Sequence, residues 1–212
     1  MKKMTKISAT IASLLIAGMA NAATPGAYIG AGIGGTMLDI PDVTDLSDAY
    51  ISISQERKGF GGRLFAGYNF NKYIGLETAY AVYANATIKA SIQDLGITIS
   101  DTYSLSALSL VGKGYLPFGE SGFNVYVLGG MAEVMGKERV KASGLGVPPI
   151  SDSQTTYKLR PTYGAGVSYD FTDHVTTNLE VSRIQGEGDM ETSSKAIPNA
   201  DMISFNLSYN FG

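Results

Sequence analysis

The sequence predicts an all-β fold, an eight-stranded antiparallel transmembrane β-barrel laid out as an up-and-down meander. Three observations predict it: segments alternating apolar with small or polar residues at a period of two, connections that alternate short and long, and aromatic rings gathered beside the short ones. Composition narrows the field further. The 212 residues include 26 Gly, 13 Tyr, 8 Phe and one His, with neither Cys nor Trp. A chain without thiols holds no disulfide framework and no thiolate metal site, and one histidine leaves little room for imidazole chemistry. Formal net charge is −3, and because the first six residues hold three lysines and no acid, the remainder sums to −6. That balance argues against a nucleic-acid binder.

Taken in order, the chain opens with Lys2, Lys3 and Lys6, an apolar stretch from Ile11 to Met19, and the small residues Ala20-Asn21-Ala22. This is the pattern of a secretory signal peptide, residues 1–22, cleaved after Ala22. Ser13 and Gly18 interrupt the stretch, which falls short of the roughly 20 apolar residues a helical crossing needs. The mature domain is then 23–212, and any membrane crossing falls to strands.

Eight strands follow, at 26–37, 57–70, 73–86, 102–116, 123–136, 157–171, 174–186 and 201–211. In the first, Gly30, Gly32 and Gly34 share a face opposite Ile29, Ala31 and Ile33. In the fourth, Leu108, Leu110, Gly112 and Gly114 facing lipid would turn Lys113 inward, but the upper half prefers the opposite phase, so a bulge is expected near Ala107. The sixth sets Leu159, Pro161, Tyr163, Ala165 and Val167 against Lys158, Arg160, Thr162, Gly164 and Gly166. The eighth is cleanest: Ile203, Phe205, Leu207, Tyr209 and Phe211 point one way, and Met202, Ser204, Asn206, Ser208 and Asn210 the other. A soluble sheet with so polar an interior would have nothing to bury.

Between these strands, Asn71-Lys72, Pro117 to Gly122 and Thr172-Asp173 are short turns, whereas 38–56, 87–101, 137–156 and 187–200 are long and polar. Tyr68, Phe70, Tyr73, Tyr115, Phe118, Phe123, Tyr169, Phe171, Tyr209 and Phe211 place ten of 21 aromatics beside the short turns or the C-terminus. Amphipathic rings favour a membrane interface, so these ten are the expected periplasmic girdle. An even strand count with short turns on one side and long loops on the other is the pattern of a bacterial outer-membrane barrel. Closure satisfies every backbone group in hydrocarbon, and eight strands leave an interior filled by side chains. A monomer is expected.

Several fragments resemble the OmpA-like transmembrane barrels and their smaller single-barrel relatives. Ala27-Tyr28-Ile29-Gly30-Ala31-Gly32-Ile33-Gly34 is similar to that family's first strand, Gly75-Leu76-Glu77-Thr78-Ala79-Tyr80 to its third, Leu128-Gly129-Gly130-Met131 to its fifth, Asn178-Leu179-Glu180 to its seventh, and Ser208-Tyr209-Asn210-Phe211-Gly212 to its close. The resemblance implies residence in the outer membrane and insertion by the barrel-assembly machinery. Larger members continue into a peptidoglycan-binding domain, whereas this chain stops at Gly212, so wall anchoring is expected to be absent. Gly32 stands where the family carries an inward lysine, so the full family set of interior ion pairs is not expected. Phe211 is followed by one glycine, which displaces the terminal aromatic read during assembly.

Strand phase turns Glu77, Arg160 and Glu180 toward the lumen, with Arg63 and Lys158 alongside and Lys113 as a further candidate. A lipid-facing Arg or Lys at mid-membrane costs about 2–4 kcal/mol, so the lumen is where these groups belong. Two readings use the same residues: a network that plugs the barrel, or an ion gate in which, as the resemblance implies, Glu–Arg and Glu–Lys pairs exchange.

Other chemistry is weaker. Some eight-stranded barrels deacylate lipid A with a His–Ser pair, but His174 lies in the Thr172-Asp173-His174 turn without a neighbouring serine nucleophile, and nucleophile and base must meet within hydrogen-bond reach. Asp39, Asp42, Asp45 and Asp48 recur every third residue; the spacing departs from the EF-hand pattern, and a solvated acidic loop is expected, with divalent cations bridging it to lipopolysaccharide as the alternative. Gly32-Ile33-Gly34 and the 59–62 glycines open no helix, so they form no phosphate cradle. Pro148, Pro149 and Pro198 punctuate loops, and Lys137, Glu138, Arg139 and Lys141 read as a mixed-charge, solvated rim.

The expected function is therefore non-enzymatic and cofactor-free: an envelope-stabilising outer-membrane barrel whose loops 38–56, 87–101, 137–156 and 187–200 contact host surfaces, phage or lipopolysaccharide, as in adhesion or immune evasion. The alternative is a narrow porin-like pore gated by lumen charge pairs. A soluble lipocalin-type carrier would need an apolar interior and usually a Gly-x-Trp motif, and the chain has no Trp.

Overall fold

The structure, a computed structural model, describes residues 25–40, 51–92, 97–119, 121–144, 147–187 and 197–211. The predicted signal peptide at 1–22, and Asp42, Asp45 and Asp48, lie outside them. The regular elements are all strands: β1 (Gly26–Asp39), β2 (Ile51–Glu56), β3 (Lys58–Asn69), β4 (Ile74–Val82), β5 (Ala86–Ile92), β6 (Ile97–Pro117), β7 (Phe123–Gly144), β8 (Val147–Asp170), β9 (Val175–Ile184) and β10 (Asn199–Asn210). Among the described residues no helix is long and apolar enough to cross a membrane.

Eight of these strands close a barrel. β1, β3, β4, β6, β7, β8, β9 and β10 each pair antiparallel with the next, and β10 returns to β1 from Tyr28↔Asn210 to Asp39↔Asn199. β2 and β5 continue β3 and β4 above the ring, β2 pairing with β5 and β5 with the upper part of β6. The wall irregularity lies close to Ala107, but on the β4–β5 side and not in the β6–β7 ladder. The β6–β7 register runs unbroken from Thr98↔Ser143 to Pro117↔Asn124, past Ala107. The extra residue sits opposite β6: Val82 pairs with Ser106 and Ala86 with Tyr103, so four steps face three at the β4–β5 break.

The strands outrun the sequence prediction at one end only. The expected loop 137–156 is mostly hairpin, with β7 reaching Gly144 and β8 starting at Val147; β2 lies inside 38–56, and most of β5 and the start of β6 inside 87–101. Backbone pairing continues here although the apolar alternation stops. Asp152, Ser153, Gln154 and Thr155 are all exposed, so both faces meet water and the period-two signal vanishes.

The wall is inside out relative to a soluble sheet. On β10, Ile203, Phe205, Leu207 and Tyr209 are about half exposed, while Ser204, Asn206, Ser208 and Asn210 are buried. An apolar exterior over a polar interior suits a hydrocarbon surround, and the closed ladder leaves no backbone edge within it. Around the short-turn end, Tyr68, Phe70, Phe118, Phe123, Phe171, Tyr209 and Phe211 are exposed, and Tyr73 and Tyr169 are half-buried. Tyr115 departs from the expected girdle: it is 6% exposed and packs with Val111, Tyr126 and Leu128 inside the barrel. Its odd-numbered phase on β6, shared with Val111 and Lys113, turns it inward. Nearer the other end, Phe60, Tyr80, Tyr157 and Tyr163 lie exposed on the outer wall.

Candidate functional site

The lumen is filled in three layers. Nearest the short turns is a hydroxyl and amide network. Asn124 Nδ2 and Thr176 Oγ1 donate to the two oxygens of Asp170 at 3.2 and 2.5 Å, and Asn210 Nδ2 donates to Thr176 Oγ1 at 2.9 Å. Asp170 ends its strand, so this network sits at the short-turn mouth of the lumen.

Above that network sits a ring of four charges. Arg63 Nη2 meets Glu77 Oε1 at 2.6 Å while its Nη1 meets Glu180 Oε1. Lys113 Nζ lies 2.6 Å from Glu77 Oε2 and 3.6 Å from Glu180 Oε2. Two cations and two anions leave the ring neutral, and all four side chains are buried. Burying a charge is costly unless it is paired and hydrogen-bonded; the opposite charges supply the pairing, and two tyrosines add hydrogen bonds. Tyr28 donates to Glu77 Oε2 at 3.0 Å and Tyr126 to Glu180 Oε2 at 2.9 Å.

The two halves of the ring share one construction. Across β1, β3 and β4, Tyr28, Gly67 and Glu77 stand in one register row; across β7, β8 and β9, Tyr126, Gly166 and Glu180 do the same. To reach a carboxylate two strands away, each phenol must lie across the strand between, and only glycine leaves the space. A Cβ at Gly67 would sit 2.4 Å from Tyr28 ring atoms, and one at Gly166 2.5 Å from those of Tyr126. Gly32, on the same inner face, gives its space to the Asn206 side chain, whose Oδ1 would lie 1.8 Å from an added Cβ.

The third layer is apolar. Leu38, Tyr83, Leu105, Val134, Ile184 and Met202 belong to one buried cluster at the long-connection end. Small cavities, about 30 Å³ each, flank the ring, one toward the polar network and one toward the apolar cluster.

Of the sequence candidates, Arg63, Glu77, Lys113 and Glu180 come together. Lys158 and Arg160 do not join them. Both occupy the inward phase of β8 but lie farther up, where Lys158 hydrogen-bonds Glu187 and Arg160 Nη1 is 3.4 Å from Glu187 Oε1. The Lys158 hydrogen bond holds the Glu187 carboxyl below the usual range, desolvation opposing and Arg160 assisting. Tyr28 and Tyr126 were missed. For Tyr28 the signal was a lone aromatic on a face otherwise built of glycine and threonine; Tyr126 shares its face with Leu128 and Val134 and carried no such signal. His174 stacks on Tyr209 with ring centroids 5.6 Å apart, and its Nδ1 lies 3.1 Å from the Asn210 carbonyl oxygen. Among the described residues no group of three or more His, Cys, Asp or Glu could hold a metal ion.

The chain matches the family model described as outer membrane protein beta-barrel domain over residues 7–211. It is 26% identical over 178 residues to a Coxiella burnetii protein, covering 74% of this chain and 71% of that one. It is 28% identical over 153 residues to outer membrane protein A of Shigella flexneri, covering 72% of this chain but only 40% of that protein. Among solved structures, OprG of Pseudomonas aeruginosa superposes with TM-score 0.56 at 13% identity, covering 91% of this chain and all of that one. Ail, the attachment invasion locus protein of Yersinia pestis, superposes with TM-score 0.50 at 16% identity, covering 88% and 99%.

Proposed function

The chain belongs to the outer membrane protein beta-barrel domain family and resides in the outer membrane, and from that premise we propose that it is a closed envelope anchor. In this reading the short turns face the periplasm, and the hairpins and loops at the other end face outward, available to external ligands. One observation carries the reading: the lumen is closed twice, by the charge ring and by the apolar cluster above it. An ion crossing it would have to displace paired, hydrogen-bonded charges and then traverse a region offering no polar replacement for its water, where the cost of desolvation is steep.

The test is planar-bilayer conductance of the refolded barrel. Silence is expected from wild type and from Arg160→Ala, whose side chain lies outside the ring. Discrete openings in wild type that change with Glu180→Ala would overturn the anchor in favour of a narrow ion path. One feature favours that second reading. Lys113 already stands 2.6 Å from one carboxylate and 3.6 Å from the other, so shifting its main contact from Glu77 to Glu180 needs only a short movement.

A further inference from the structure

Lys137, Glu138, Arg139 and Lys141 read as mixed charge along the chain, but the pleat sorts them. Successive strand residues face opposite sides, so Glu138 falls on the inner face with its buried neighbours Val134 and Gly136, and the three cations fall on the outer face. They line a pocket of about 190 Å³ together with Ser100, Thr102 and Ser104 of β6 and with Asn85. The register sets Ser104 beside Lys137, Thr102 beside Arg139 and Ser100 beside Lys141. On the far side of β6, exposed Lys89 of β5 pairs with Ser100. Three short hydroxyl side chains thus form a floor between a wall of three cations and a fourth.

These cations have no ion-pair partner among the described residues, where the salt bridges lie elsewhere. The acids nearest along the outer face stand off. Glu56 is in Arg139's row but three strand spacings away, about 14 Å, and Glu133 is four residues below Lys137 on the same strand, about 13 Å. The row below the pocket sets Val82 and Met135 on either side of Ser106, with exposed Tyr157 beyond, and the next row sets exposed Glu133 between Leu108 and Leu159. The pocket therefore stands above the largely apolar part of the outer wall.

We propose that this pocket binds phosphate groups of outer-leaflet lipopolysaccharide. Ammonium and guanidinium donors make short charge-assisted hydrogen bonds to phosphate oxygens, hydroxyls complete the donor set, and a position above the apolar wall suits a lipid headgroup. The inference rests on the outward orientation proposed above, which Thr155→Cys tests separately. The chain has no other cysteine, so a membrane-impermeant maleimide should label that variant on intact cells; protection of the site would refute the orientation itself.

The binding experiment titrates the refolded full chain in detergent micelles with lipopolysaccharide and with the same glycolipid chemically dephosphorylated. Wild type should bind the phosphorylated form about tenfold or more tightly, and Lys137→Gln/Arg139→Gln/Lys141→Gln should abolish the difference. That variant should keep the heat-modifiable gel shift of a folded barrel, because its side chains point away from the lumen. Equal binding of both glycolipids by wild type, or an undiminished preference in the folded variant, overturns the proposal while leaving the anchor reading intact. Tighter binding of a soluble sulfated oligosaccharide than of lipopolysaccharide also overturns it, in favour of a glycan partner.

Discussion

Replacing Glu77 with glutamine tests the charge ring most directly. Glu77 accepts from Arg63 at 2.6 Å, Lys113 at 2.6 Å and Tyr28 at 3.0 Å, and its side chain is fully buried. Glu77→Gln keeps shape and polarity but leaves two buried cations sharing Glu180, so one positive charge is uncompensated. Breaking a buried pair in this way costs about 3–5 kcal/mol. With a urea dependence of about 1–3 kcal/mol per molar for a small domain, the unfolding midpoint should drop by roughly 2 M. The chain has no tryptophan, so the transition is followed by far-ultraviolet circular dichroism and heat-modifiable gel mobility in lipid vesicles. The double variant Glu77→Gln/Lys113→Gln restores neutrality with the Arg63–Glu180 pair intact, and it should recover much of the loss. Additive losses from the two single variants, or a Glu77→Gln cost below about 1 kcal/mol, would refute the view that neutrality governs the lumen.

Gly67→Ala and Gly166→Ala should each destabilise by about 1–3 kcal/mol as overpacking against the tyrosine, whereas Gly35→Ala, with open space around its Cβ, should be near neutral; the same urea titration compares them. Leu105→Ala, in the apolar cluster with the residue only 2% exposed, should cost about 2–5 kcal/mol yet leave bilayers silent while the ring remains; openings would show that the apolar layer alone seals the barrel. Lys158→Gln should move the Glu187 titration midpoint, followed by side-chain carboxyl nuclear magnetic resonance, up toward the ordinary value of about 4.3. Because the folded carboxyl lies below its unfolded value, the stability linked to this pair is present above the unfolded value and is lost as pH falls through the folded one. A wild-type midpoint that the substitution leaves in place would remove Lys158 as the cause.

How much was legible depended on which side of a strand carried information. Where lipid touches one face and the lumen the other, as from Ile203 to Phe211, alternation revealed strand, phase and inward polar residues together. Where both faces meet water, as at 152–155, the pattern disappeared and strand was mistaken for loop. The ring's members showed as charges on a polar face, but its height did not. Arg160 has the same phase as the ring and a different level, and level depends on strand tilt and register, which no single strand encodes. Tyr115 was misplaced for a related reason: position beside a turn outweighed phase. The basic pocket was hidden by the opposite error, since reading Lys137 to Lys141 as a run mixed two faces that the pleat separates.

Alternation of period two cannot detect a slip of two residues, because every side chain keeps its face. The paired Tyr–Gly–Glu rows can. Moving β9 by two positions against β8 and β10 would carry Glu180 about 7 Å along the barrel, away from Arg63 and out of line with Gly166 and Tyr126. The strands β1 to β6 hold Arg63, Lys113 and only one of the two carboxylates, so their positive charge is balanced only when β9 lies in the right register. The ring thus separates the native alignment from an alternative that would be equally greasy outside and equally well hydrogen-bonded along its backbone.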